Sequence, residues 1–305
     1  MAGKKRVPGS MRNPVGERRL HGMVRLAALM LLVLLVAVAL DVRLRTVSYR
    51  VETAKVATPV RIALLTDLHG CRYGTGMSTL LAAVERQKPD GILFGGDIFD
   101  DRMPPDNARL LMTALAKRYA CFYVTGNHEF WSGEAERIKQ WVRDSGITVL
   151  EGQWADLAIR GERLAICGVD DPDGFPGASY LENEATPGGF ADQLHGYVAN
   201  LDPKVFSLLL SHRPERIREY AACGFDLVLS GHAHGGQWRV PGLVNGLLAP
   251  DQGWFPPYAG GRYDTDGTGM IVSRGLARES TRIPRVFNRP ELVVVDIVPA
   301  LRDPG

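Results

Sequence analysis

Five short apolar runs in this 305-residue chain each stop at a residue able to bind a metal or move a proton, and that repeated arrangement constrains the fold most. Ala63-Leu64-Leu65-Thr66 leads to Asp67-Leu68-His69, Leu93-Phe94-Gly95-Gly96 to Asp97, and Phe122-Tyr123-Val124-Thr125-Gly126 to Asn127-His128-Glu129. Further on, Leu208-Leu209-Leu210-Ser211 leads to His212, and Leu227-Val228-Leu229-Ser230-Gly231 to His232-Ala233-His234. Short uninterrupted apolar runs bounded by turn residues read as strands buried on both faces. In an α/β sheet the carboxyl ends of such strands share one edge, so these distant groups converge there. A single Asp-x-His or Gly-Asp is an ordinary turn. Five in series supply carboxylates, imidazoles and one carboxamide with no thiolate, a donor set for manganese, iron or zinc. A purely structural zinc site would draw on cysteine instead.

From residue 59 onward, apolar runs alternate with amphipathic stretches, without internal repeats. Strands over residues 61–66, 91–95 and 121–125, with helices around 77–87 and 107–117, make a βαβαβ opening. Another helical pattern ends at Trp141, and strands follow over 147–150, 157–160, 164–169, 205–210, 226–229, 270–273 and 292–298. This predicts one domain, 59–300, of α/β class: two packed sheets with helices on the outer faces. The Gly- and Pro-rich stretch between Gly235 and Gly267 reads as a long loop. Its Trp254, Phe255 and Tyr258 are expected to pack at the domain edge, with a pocket cap or bilayer contact as alternatives. Cys121, Cys167 and Cys223 read as small core residues, and Cys71 as an inert thiol near the first motif.

The formal charge of +2 is unevenly spread. Lys4, Lys5, Arg6, Arg12, Arg18, Arg19 and Arg25 face only Glu17 in the first 25 residues, so the rest of the chain is net acidic. That argues against a nucleic-acid partner. Residues 1–22 form a basic segment, 23–40 a transmembrane anchor or signal sequence, and 41–58 a linker. Ala37-Val38-Ala39 would suit signal cleavage, and Arg18-Arg19 a twin-arginine signal. The positive-inside bias predicts an anchor in the bacterial inner membrane with the main domain outside the cytoplasm, or an exported soluble form. Arg43, Arg45 and Arg50 run against that orientation.

In order, Asp67-x-His69, Gly96-Asp97-x-x-Asp100, Gly126-Asn127-His128-Glu129, His212 and Gly231-His232-x-His234 resemble the five motifs of the calcineurin-like metallophosphoesterases. Gly235-Gly236-Gln237 and Ser273-Arg274-Gly275 resemble a bacterial membrane-associated branch, the YaeI and YkuE type of phosphodiesterase. The resemblance implies a four-layer αββα sandwich and two divalent metal ions. Asp67, His69 and His234 would hold one ion, Asn127, His212 and His232 the other, and Asp97 would bridge them. It implies hydrolysis of phosphate esters or pyrophosphates by a bridging hydroxide, with His128 protonating the leaving oxygen and Asp100 orienting His128. Asp101 and Asp106 are nearby alternatives to Asp100, and Glu129 falls outside the usual ligand set, as a supporting group.

A tethered site favours lipid-linked phosphodiesters or nucleotide-sugar lipid pyrophosphates. Arg72, Arg102, Arg213 and Arg274 are candidate phosphate-binding cations, for which surface or salt-bridging roles are the ordinary alternative. Asp170, Asp171 and Asp173 read as a solvated turn. A non-catalytic scaffold of the same fold and a soluble nucleotide phosphatase are the competing functions. Oligomeric state is not legible.

Overall fold

The computed structural model describes residues 14–175, 189–196, 201–278 and 283–300. Lys4, Lys5, Arg6 and Arg12 lie outside them. In chain order the first elements are α1 (Pro14–Ala39), β1 (Arg45–Thr53), β2 (Val60–Leu65), α2 (Ser78–Gln87), β3 (Gly91–Gly95), α3 (Asp106–Ala116) and β4 (Ala120–Val124). Then come α4 (Asn127–Trp131), α5 (Ala135–Asp144), β5 (Thr148–Val149), β6 (Trp154–Ile159), β7 (Glu162–Gly168), α6 (Phe190–His195), β8 (Phe206–Leu210) and α7 (Ile217–Ala222). The last are β9 (Leu227–Ser230), β10 (Leu248–Ala249), β11 (Gly253–Trp254), β12 (Gly261–Thr265), β13 (Thr268–Val272) and β14 (Glu291–Pro299).

One sheet has the order β1-β14-β2-β3-β4-β5 and the other β12-β13-β9-β8-β7-β6. In the first, β2, β3, β4 and β5 run parallel; in the second, β7, β8, β9 and β13 do. The period of two along each strand builds the layers. Ile62 and Leu64 of β2 meet Leu208, Leu210, Leu227 and Leu229 of the other sheet in an inner core. Ala63 and Leu65 face the opposite way, against α2 and α3 through Leu80, Val84, Leu111 and Met112. Leu209 and Val228 likewise pack under α6 and α7, against Leu194, Ile217 and Tyr220. The architecture is therefore the expected helix-sheet-sheet-helix sandwich.

Three local expectations are corrected. Residues 45–53, placed in a linker, form β1, which pairs in parallel with β14 from Arg45 opposite Glu291 to Thr53 opposite Pro299. Its alternating half-buried and exposed positions are those of an edge strand, a weaker pattern than the continuous apolar runs. The 235–267 stretch is not one loop, since it carries the β10–β11 hairpin and β12. Within it Tyr258 packs on Tyr263 at 5.2 Å between ring centres, but Trp254 and Phe255 remain 67% and 64% exposed. Asp170 and Asp171 are buried instead of solvated, because Lys139 and Arg213 respectively pair with them. All four cysteines are buried and unbridged.

Helix α1 stands apart from these cores. Its side chains from Met23 to Val38 are exposed on every face, which excludes a buried helix of the main domain. The run from His21 to Ala39 is long and apolar enough to cross a membrane. The whole helix rises about 39 Å at 1.5 Å per residue, against a hydrocarbon core of about 30 Å. It joins the domain at its last turn, where the Phe287 N–H donates to Ala39 O at 2.7 Å and Arg289 Nε lies 3.4 Å from Asp41.

Candidate metal centre

Strands β2, β3 and β4 of one sheet and β8 and β9 of the other deliver the motif residues to one edge, each within a few positions of the strand's carboxyl end. The backbone there is unusual. Asp67, His69, Asp97, His232 and His234 all have φ between 47° and 65°, a left-handed conformation that non-glycine residues avoid. Such strain persists where the surroundings fix it, and it clusters at functional sites. Glycines allow the loops to approach: a Cβ on Gly96 would lie 2.6 Å from His212 Nδ1.

Two donor groups that share Asp97 result. Asp67, His69, Asp97 and His234 place one ligand atom each within 4.8 Å of one another, and all four are buried. His69 Nε2 is 3.3 Å from His234 Nε2 and 3.6 Å from Asp97 Oδ2, while His234 Nε2 is 3.7 Å from Asp67 Oδ1. Asp97, His212 and His232 make the second group, with His212 Nε2 3.1 Å from Asp97 Oδ2. Asn127 opens α4 beside it, one residue before His128, whose N–H donates to Asp97 Oδ1 at 2.9 Å. Asp97 thus belongs to both groups.

The donor chemistry fits divalent cations. Asp67 Oδ2 and Asn127 Oδ1 are buried with no hydrogen-bond partner among the described residues, a costly state that a cation would relieve. Burial opposes charge on the two carboxylates, yet His234 and His212 hold Asp67 below its ordinary range, and His212 holds Asp97 well below. Burial opposes charge on His212 too, but Asp97 lifts its pKa to about 10. His69 is raised against burial by its hydrogen bond to Asp100, whereas burial pushes His234 down to about 3.

Supporting contacts orient the ligands, as partners of metal-binding imidazoles do. Asp100 Oδ2 lies 2.9 Å from His69 Nδ1, and His212 Nδ1 2.8 Å from Gly95 O. The expected pairing of Asp100 with His128 is displaced: Asp100 is 3.5 Å from His128 Nδ1, and Asp101 Oδ1 is 2.7 Å away. Adjacent carboxylates on one turn serve two different imidazoles, which spacing alone does not resolve. His128 is 24% exposed, with Trp131 4.7 Å away between ring centres, so it faces the open side of the centre. Glu129 accepts from four backbone N–H groups: Oε2 from Gly126 at 2.8 Å and Asp97 at 3.0 Å, Oε1 from Ile98 at 2.9 Å and Phe99 at 3.1 Å. Burial and the charge of Asp97 push its carboxyl up to about 7.

The candidate arginines divide. Arg213 is buried against Asp171, with Nε 2.7 Å from Oδ2, and Arg274 is buried against Glu291 at 3.3 Å, so both make salt bridges. Arg102 is 71% exposed and pairs with Asp101 at 3.2 Å, and Arg72 is exposed, with Nε donating to Gly74 O at 3.4 Å. Two groups had no signal in the sequence. Asp251, between β10 and β11, reaches His232 Nε2 at 2.8 Å and also pairs with Arg213. Arg285 is 2% exposed, and none of its three guanidinium nitrogens has a hydrogen-bond partner among the described residues. Burial pushes its pKa down, and its charge bears on Asp67 and His234.

Two converging donor groups on the carboxyl edges of a double sheet define a candidate site for divalent metal ions. A family model for calcineurin-like phosphoesterases matches residues 60–236, the stretch that carries every candidate ligand described above, and the chain belongs to that family. It is 30% identical over 261 residues to an uncharacterised metallophosphoesterase of Aquifex aeolicus, covering 83% of this chain and 92% of that one. Identity to the metallophosphoesterase YkuE of Bacillus subtilis is 29% over 241 residues, 77% of each chain. Identity to the phosphodiesterase YaeI of Escherichia coli is 29% over 248 residues, 79% of this chain and 83% of that one.

Proposed function

We propose that this metallophosphoesterase is a phosphodiesterase with two divalent cations, Mn, Fe or Zn, acting on phosphate esters presented at a membrane surface. The sharing of Asp97 between two buried donor groups carries the two-cation reading. Asp67, His69, Asp97 and His234 would hold one cation, and Asp97, Asn127, His212 and His232 the other. Cations there would supply an activated water and neutralise phosphoryl charge. The chain's own residues do the rest. Asp101 accepts from His128 Nδ1–H and orients the ring, so that Nε2–H can protonate the leaving oxygen. Asp100 keeps the His69 ring aimed inward. Exposed α1 supports an anchored enzyme, and a tethered site would favour substrates that carry their phosphate on a lipid. The anchor is read as lying in the inner membrane with the catalytic domain outside the cytoplasm.

The test is turnover of bis-p-nitrophenyl phosphate by the purified full chain in detergent. Activity is expected with manganese, to be lost with chelator and regained when metal returns. No turnover with any divalent metal would defeat the proposal.

Arg285 is assigned the phosphate oxygens of the substrate, because a buried guanidinium near the ligands, with no partner among the described residues, is completed by an oxyanion. Arg285→Met should raise KM roughly ten- to a hundredfold, the loss of one charged hydrogen-bonding partner. Thermal stability should rise, since a buried unpaired charge is removed. A fall in Tm with unchanged KM would assign Arg285 to the fold alone.

A further inference from the structure

Beyond residue 42, ten large apolar side chains are exposed among the described residues, and seven of them fall between Trp238 and Phe255 or at Ile283. Leu243 is 85% exposed at a turn in which its N–H donates to Val240 O at 2.9 Å. Trp254 pairs with Leu248 across the β10–β11 hairpin, with Phe255 next to it. Exposed apolar side chains scatter singly on ordinary surfaces, whereas a concentration of aromatics marks a contact.

The position of this rim identifies what it contacts. Trp238 bridges to Val286, and its Nε1–H donates to Pro284 O at 2.9 Å. The next residue, Phe287, bonds the last turn of α1 through Ala39 O. The rim is therefore joined, one residue removed, to the point where the apolar helix leaves the domain. It also borders the metal centre. Gly236, two residues after His234, accepts from both Trp238 and Leu247 N–H, and Asp251 at the hairpin tip reaches His232. Tryptophan and phenylalanine beside aliphatic side chains suit the boundary between lipid headgroups and acyl chains.

We infer that the turn carrying Trp238 and Leu243 and the hairpin carrying Trp254 and Phe255 form a second membrane contact, which inserts into the bilayer surface and seats the metal centre against lipid headgroups. The inference rests on the membrane reading above and deepens it. An anchor alone leaves the domain free to rotate, whereas a second contact fixes which face meets the lipid.

The experiment reconstitutes the full chain in vesicles of phosphatidylcholine and phosphatidylglycerol, with and without brominated acyl chains, and reads tryptophan fluorescence. The chain has five tryptophans. With Trp131, Trp141 and Trp154 replaced by Phe, the emission of Trp238 and Trp254 should be quenched by the brominated lipid. With Trp238 and Trp254 replaced instead, quenching should be lost, while turnover of bis-p-nitrophenyl phosphate shows that this variant is folded. Equal quenching in the two variants, or none in the first, would overturn the inference. A Leu243→Ser/Trp254→Ser variant should lose about tenfold or more in turnover of a fluorescent phosphodiester lipid in the vesicle, relative to the soluble diester. Quenching of Trp238 and Trp254 without turnover of any vesicle lipid would uphold the membrane contact and remove the lipid-substrate reading.

Discussion

Replacing Asp97 by Asn should strip both halves of the metal centre at once. The amide keeps the shape of the carboxylate, and its oxygen can still accept the His128 N–H, so the loop is preserved. What is lost is the charge common to the two donor groups. Altering an outer partner of a metal ligand costs about 10–100-fold in affinity, and a shared ligand should cost more. Elemental analysis should find less than one ion per chain, and kcat should fall by more than about a hundredfold on the same comparison. In contrast, His128→Ala should keep its metals and lose kcat, because His128 belongs to neither of the groups that share Asp97. The protons supply a second readout. Metal must displace them from His69 and His212, whose pKa values are raised in the metal-free fold, so affinity should increase with pH. In the Asp97→Asn variant His212 loses the carboxylate that lifts it, and that proton release should shrink. Full activity in Asp97→Asn would refute the site.

The reach of sequence reasoning follows from which interactions are local. Strand β3 was legible because Gly91–Gly95 is apolar throughout, the mark of a strand covered on both faces, and Asp97 follows it directly. The same rule placed His212 and His232, and hence the convergence of residues far apart in sequence. Strand β1 was missed because it lies at an edge, where half of the side chains meet water and the apolar run breaks up. The choice between Asp100 and Asp101 was not legible for another reason: consecutive residues on a turn point in different directions, and only the fold determines which carboxylate lies nearer which ring. Asp251 and Arg285 illustrate the limit. Neither follows an apolar run or sits in a motif, and each gains its meaning from a long-range placement that has no local signature.

Glu129 is the residue whose loss should show most clearly how the fold holds the chemistry. It touches no substrate, yet its two oxygens accept N–H groups from the loop after β3 and the loop after β4, the segments that carry Asp97, Asn127 and His128. Glu129→Gln should therefore be severe despite its nearly identical shape. An amide has one accepting oxygen, so either orientation turns its NH2 toward two backbone donors. A buried donor left unsatisfied costs about 1–3 kcal/mol, which puts the pair at about 2–6 kcal/mol. That is a large part of the roughly 5–15 kcal/mol that stabilises a typical domain, so thermal unfolding should shift strongly downward. Metal affinity should drop by about 10–100-fold as the two loops part. The effect runs in both directions: Asp97 raises the pKa of Glu129, and a cation on Asp97 cancels that repulsion. Saturating manganese should accordingly stabilise the wild-type chain much more than Glu129→Gln, as read by Tm with and without metal. Equal metal-induced shifts in the two proteins would show that Glu129 supports the fold without setting the geometry of the centre.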